Sequence, residues 1–245
     1  MNNRRISILG VPLDNYQPEE LISRAENGFD GTQAQTIFSV NPEKIMRARK
    51  DPELLKALRE ADYLIPDGIG AVLGARILLK EKTNRITGVA LMDLWLQTAQ
   101  RKKYRIFIFG AKPAINSRAA IEIRKKYPSL ELVGQSHGYI EEVFYNRMIG
   151  QINDLETDIL FVGLGSPKQE KWIHRHRESL RVKICMGVGG SLDVIAGRVK
   201  RAPQFFQRTG LEWLYRLIQE PRKYQRQHFL PQFAFELLKK KLGST

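Results

Sequence analysis

One carboxylate in this chain stands on a hinge that could present it to a substrate. In Leu64-Ile65-Pro66-Asp67-Gly68-Ile69-Gly70, apolar residues lead into Asp67, and two glycines bracket Ile69 just beyond it. Pro66 fixes its own φ and pushes Ile65 toward extended geometry, while Gly68 and Gly70 permit close backbone approach. Asp67 is therefore expected to project from a strand end, where a carboxylate can accept a proton from a hydroxyl. The competing use is as the cap of a helix that begins near Ile69.

Three other strand ends carry groups of the same kind. In Ser39-Val40-Asn41-Pro42 a hydroxyl and an amide stand where an apolar run meets a helix-starting proline; capping accounts for one of them, not necessarily both. In Phe161 to Glu170 a strand, a glycine turn and a helix succeed one another, and the first helical turn presents Lys168 and Gln169. In Met186 to Asp193, Gly187, Gly189 and Gly190 let backbone amides converge and Ser191 can cap the next helix, a geometry that suits a phosphate.

Neither glycine turn is a dinucleotide fingerprint. They read G-x-G-x-x-K and G-x-G-G-x-L, each without the third glycine of G-x-G-x-x-G. A nicotinamide-dependent oxidoreductase would also need an acid about 20 residues further on, and Glu212, near that spacing, falls in a basic tail. No G-x-x-x-x-G-K-[ST] occurs, which argues against a Walker-type ATPase. No D-x-D occurs either, and His174 and His176, two apart on a helix, face different ways, so no metal is expected.

Short apolar runs alternate with amphipathic stretches and supply the frame. Strands are predicted at Thr36 to Val40, Tyr63 to Ile65, Arg105 to Phe109, Leu130 to Gly134, Asp158 to Gly163 and Lys183 to Gly187. Helices are predicted at Pro42 to Lys50, Pro52 to Glu60, Ile69 to Leu79, Val89 to Gln100, Pro113 to Lys126, Phe144 to Asp154 and Pro167 to Arg177, several opened by Pro or an Asp, Ser or Asn cap. The alternation predicts a Rossmann-like α/β fold, a mostly parallel sheet with helices on both faces, whose ligand lies at the carboxyl ends of the strands. Cys185, alone in an apolar run, reads as a buried strand thiol and not a nucleophile.

Charge is concentrated at one end. Of the net +14, a surplus of eleven cations over three carboxylates falls from Gly197 onward. Aromatic and aliphatic residues interleave with those cations, a mixture suited to an anionic lipid surface. The division expected is an α/β core over residues 1–196 and a basic, aromatic helical appendage over 197–245, with the core able to fold without it. No apolar run of eighteen residues and no signal-like start is present, so a cytoplasmic protein, peripheral on the membrane, is expected. A nucleic-acid-binding module would use the same charge, but no recognised motif is visible and no nucleic-acid partner is expected.

Several blocks in order resemble the WecG/TagA/CpsF-type glycosyltransferases, glycosyltransferase family 26. They are Asn41-Pro42-Glu43, Pro66-Asp67-Gly68-Ile69-Gly70, Arg85 with Gly88 and Asp93-Leu94, Gly165 to Ile173, Gly187 to Gly197, Lys200-Arg201-Ala202-Pro203, Leu211 to Leu217 and Glu220-Pro221. The resemblance runs over nearly the whole chain. It implies inverting, metal-independent transfer from a UDP-sugar donor to a polyprenyl-diphosphate-linked sugar on the cytoplasmic membrane face. The most similar members move N-acetylmannosamine onto lipid-linked N-acetylglucosamine in teichoic acid synthesis; glucose or N-acetylmannosaminuronic acid, used in exopolysaccharide or common-antigen assembly, is the alternative donor sugar.

By the same resemblance Asp67 is the base, Arg85 and Gln169 share its pocket with Asn41, and Asp193 and Tyr139 lie toward the nucleotide. Two departures are visible: Ser39 where a Thr is expected, which keeps the hydroxyl, and Lys223 where an Arg is expected, which keeps charge but not the bidentate fork. Without a metal, the departing diphosphate must be met by amides and cations. The turn Gly187 to Ser191 and tail arginines such as Arg216 and Arg226 are the expected groups, so the tail is expected to serve both as anchor and as lid.

Overall fold

The computed structural model describes residues 5–79, 83–200, 202–203, 205–206, 214–215, 218 and 229–243. Its strands are β1 (Arg5–Ile8), β2 (Val11–Asp14), β3 (Gln35–Val40), β4 (Tyr63–Pro66), β5 (Arg105–Gly110), β6 (Glu131–Ser136), β7 (Ile159–Gly163) and β8 (Ile184–Gly187). The last six form one sheet in the order β4-β3-β8-β7-β5-β6, with every neighbouring pair parallel. The chain moves outward from β3 to β4 and resumes on the other side of β8 with β5. That reversal opens a crevice at the carboxyl edge.

Alternation along the strands assigns the two faces. Phe38, Val40, Leu64, Phe109 and Val162 enter one buried layer, Ile37, Ile65, Ile108, Phe161 and Met186 the other. The first layer is completed by α2 (Pro42–Ala48), α3 (Pro52–Arg59), α4 (Ile69–Leu79), α7 (Tyr145–Asp154) and α8 (Lys168–His176). The second is completed by α1 (Pro18–Asn27), α5 (Gly88–Lys102), α6 (Pro113–Lys126) and α9 (Ser191–Ile195). Each large side chain taken fully out of water here contributes about 1.5–3 kcal/mol. Local chemistry sets the helix starts: Asn41, Asp51 and Thr87 accept the backbone N–H of Lys44, Leu54 and Ala90, and prolines come directly after the first two.

The six central strands lie within two residues of their predicted ends, and Cys185 is fully buried, its thiol pKa pushed up by that burial. The hairpin β1–β2 was not anticipated. It covers the edge of β4: the Asp14 carboxylate accepts Leu64 N–H at 2.7 Å and binds Arg5, whose guanidinium also donates to the Ala61 and Asp62 carbonyls. Covering and charging an edge in this way disfavours pairing with another strand.

The C-terminal helix Phe229–Leu242 packs against α2 and α4. Phe233 and Leu237 are buried in the first layer, and Glu236 pairs with Arg49 at 2.8 Å. This helix of the basic region is thus seated on the core and shares its interior. Arg216, Lys223 and Arg226 lie outside the described residues.

Candidate active site

Adjacent strands deliver the two central polar residues side by side. Val40 pairs with Pro66, so Asn41 and Asp67 leave β3 and β4 at the same level, and Asp67 N–H donates to Val40 O at 2.8 Å. Gly68, at φ 82°, turns the chain into α4 and separates Asp67 from its first residue. The backbone N–H of Ile86 returns to Pro66 O at 3.1 Å, which brings the Arg85 segment against the same hinge.

These residues open into a cleft of about 750 Å³ that also receives Ser39, Gln169, Gly189, Gly190, Ser191 and Asp193. Most of the predicted pocket therefore comes together from four strand ends. The other part of the cleft is apolar and was not foreseen: α4 supplies Leu73 and Ile77, and the C-terminal helix supplies Phe229, Leu230, Phe233 and Leu238.

Gln169 is 2% exposed, and its amide bridges two walls. Its Nε2 donates to Glu170 Oε1 at 2.8 Å and its Oε1 accepts Gly189 N–H at 2.9 Å. Gly187 does not line the cleft; it stands behind Gln169, where a Cβ would come within 2.8 Å of the amide nitrogen and 3.0 Å of Phe38. Lys44 and Glu170, which sequence reasoning passed over, form a buried ion pair against this amide. The pair lies 126 residues apart in sequence, and nothing local signals it.

Two details of the glycine turn correct the expectation of an anion cradle. Gly190, not Ser191, precedes α9, and the Ser191 hydroxyl donates to Val188 O at 2.7 Å, so it caps nothing. The amides of Val188, Gly189 and Ser191 are engaged by Val162 O, Gln169 Oε1 and Val188 O, which leaves few donors of this turn for a phosphate. Asp193 lies in the cleft wall in an ion pair with Arg198 at 2.8 Å. Tyr139, 67% exposed on the loop after β6, is not among the residues lining the cleft. No group of three His, Cys, Asp or Glu among the described residues is placed to hold a metal ion, and no described helix is long and apolar enough to cross a membrane.

The family described as "Glycosyl transferase WecG/TagA/CpsF family" matches residues 6–245. This chain belongs to it. Among similar proteins, the N-acetylglucosaminyldiphosphoundecaprenol N-acetyl-beta-D-mannosaminyltransferase of Bacillus subtilis (strain 168) is 35% identical over 95% of this chain and 91% of its own length. The proteins of the same name from Staphylococcus aureus (strain MRSA252) and Bacillus spizizenii are 32% and 34% identical, over 98% and 91% of this chain and 94% and 87% of their own. The chain is accordingly a glycosyltransferase of the WecG/TagA/CpsF family, and its cleft at the carboxyl edge of a parallel sheet is where the ligand of such a fold lies.

Proposed function

We propose that this glycosyltransferase moves N-acetylmannosamine from UDP-N-acetylmannosamine to N-acetylglucosamine carried on undecaprenyl diphosphate, with inversion and without a metal ion. The observation that carries the reading is Asp67, set on the β4 hinge inside a cleft shared with Asn41, Arg85 and Gln169. The names of the similar proteins supply the transferred sugar and the acceptor class.

In the reaction, the Asp67 carboxylate takes the proton of the acceptor hydroxyl as that oxygen bonds to the donor's anomeric carbon. The bond from that carbon to the diphosphate breaks, and UDP departs with the electron pair. Because three amides of the Gly187 to Ser191 turn are engaged internally, the developing charge falls to cations, Arg85 in the cleft and, from the tail, Arg216, Lys223 and Arg226. The apolar part of the cleft suits a prenyl chain entering from a membrane, which supports work at the inner membrane face by a peripherally bound enzyme.

The decisive assay incubates the protein with UDP-N-acetylmannosamine, UDP-N-acetylglucosamine, UDP-glucose and UDP-N-acetylmannosaminuronic acid, each with a short-chain prenyl-diphosphate-N-acetylglucosamine, and weighs the product. One added N-acetylhexosamine from the mannosamine donor alone, also in excess EDTA, is the expected result. Preferred use of another donor would reassign the sugar, and no product from any would defeat the reading.

A further inference from the structure

Two opposite charges are held at the wall of the cleft, nearly out of water: Lys44 is among the residues that line it, and Glu170 lies behind. Lys44 is 4% exposed and Glu170 fully buried, with Nζ 2.6 Å from Oε1. The same ammonium donates to Ser39 O at the exit of β3. The same Oε1 accepts from Gln169 Nε2 at 2.8 Å, and Gln169 Oε1 accepts Gly189 N–H at 2.9 Å. One line of contacts thus joins β3, α2, α8 and the turn after β8. It also fixes the amide, since a flipped Gln169 would set oxygen against oxygen at Glu170 and N–H against N–H at Gly189.

Stability does not account for the pair. Desolvating two charges offsets most of their attraction, and an apolar pair of similar volume is often as stable or more so. Glu170 Oε2 adds to that cost, being buried without a hydrogen-bond partner among the described residues. The pair is thus weak evidence for stability, and its contacts point instead to the Gln169 amide.

We propose that Lys44 and Glu170 are positioning residues, which hold the Gln169 amide, and through it the Gly189 turn, in the geometry the sugar donor needs. The proposal rests on the transferase reading above. Lys44 fixes where Glu170 Oε1 sits, Oε1 fixes the rotamer of Gln169, and Gln169 restrains Gly189, which is held at φ 51° in the turn that lines the cleft. Removal of the charges frees the amide to rotate and loosens the turn without opening a cavity.

The test is the double variant Lys44→Met with Glu170→Leu, read by thermal unfolding, steady-state transfer and amide exchange of Gly189 by NMR. Cooperative unfolding near the wild-type midpoint is expected, with kcat lowered on the order of 10²-fold and donor KM changed much less, as for a misplaced reactant. Gly189 exchange should become at least about tenfold faster as its acceptor is lost. A folded double variant with wild-type kcat, or with wild-type Gly189 exchange, overturns the proposal. The exchange measurement needs no substrate, so it judges the pair even if no sugar is transferred. Should the double variant not fold, Glu170→Gln replaces it, removing the charge while keeping the shape: faster Gly189 exchange with reduced kcat supports the proposal, and unchanged exchange overturns it.

Discussion

Asp67 in the cleft and Gly187 behind its wall do different work, and substitution separates them. Asp67→Asn keeps the volume and removes the proposed proton acceptor, so turnover should fall roughly 10²- to 10⁴-fold with UDP affinity nearly unchanged. Turnover near wild type, with binding intact, would remove Asp67 from the role of base. Gly187→Ala adds one methyl against the Gln169 amide and Phe38, at 2.8 and 3.0 Å, and should lower both transfer and stability by displacing that amide. Unaltered kinetics and an unaltered unfolding midpoint would show that the wall yields at no cost. The two residues also differ in how far sequence reveals them. Asp67 is legible because Pro66 and Gly68 bracket it, whereas the reason for Gly187 lies in a side chain 18 positions earlier, and its sequence context suggests a phosphate loop.

Among the elements, the strands were legible because most of the six are short apolar runs, and several helices because prolines and caps mark their starts. The hairpin β1–β2 escaped because Leu9 adopts φ 49° and Gly10 φ 86°, so Ile8-Leu9-Gly10-Val11 looks like one uninterrupted apolar run. The seating of the C-terminal helix escaped because its buried residues, Phe233 and Leu237, are spaced among exposed ones and lysines. That seating changes what truncation should do. Phe233→Ala should cost about 3–5 kcal/mol by urea unfolding, the range for a buried phenylalanine, and a chain cut after Gly197 should melt lower than the whole one. An equal midpoint would mean that the helix contributes nothing to the core. The α3–α8 seam makes a separate prediction. Lys171 lies 2.8 Å from Asp51 and 3.0 Å from Glu53. Burial alone would raise Asp51, but the hydrogen bonds from Lys171 and Leu54 N–H outweigh it, and Lys171 and Arg175 lower Glu53. Both therefore titrate below their ordinary 3.8 and 4.5. Carboxylates depressed in the folded state stabilise it above the unfolded values and lose that contribution as pH falls through the folded ones. The melting temperature should drop as pH falls below that range, and the drop should be smaller in Lys171→Met; an identical acid profile would deny the seam its part.

For the whole molecule, the question is how a protein of net charge +14 meets the lipid-carried acceptor of the proposed reaction. The C-terminal helix presents Phe235, Leu238 and Leu242 at 65%, 55% and 75% exposure, beside Lys239, Lys240 and Lys241 in its last turn. Leu73 and Ile77 of α4 are also partly open and line the cleft next to it. A helix that shows water both large apolar side chains and a lysine cluster is suited to an anionic bilayer, with the rings and leucines in the interface and the ammonium groups at the headgroups. In the proposed reaction this orientation would set the apolar part of the cleft toward the lipid and leave the Asp67 end for the soluble donor. Each lysine near such a surface is worth about 1 kcal/mol, so neutralising all three should weaken vesicle binding on the order of 10²-fold at low salt. The difference should shrink as added salt shortens the screening length, because it is electrostatic and exposed. Lys239, Lys240 and Lys241 do not line the cleft, so the triple Lys→Gln variant should turn over a short-chain, soluble acceptor at close to the wild-type rate. Co-sedimentation with phosphatidylglycerol vesicles across a salt series, run beside that assay, decides the matter: vesicle binding equal to wild type at low salt would take the lysines out of membrane attachment, and a matching loss with the soluble acceptor would place their effect in the chemistry instead.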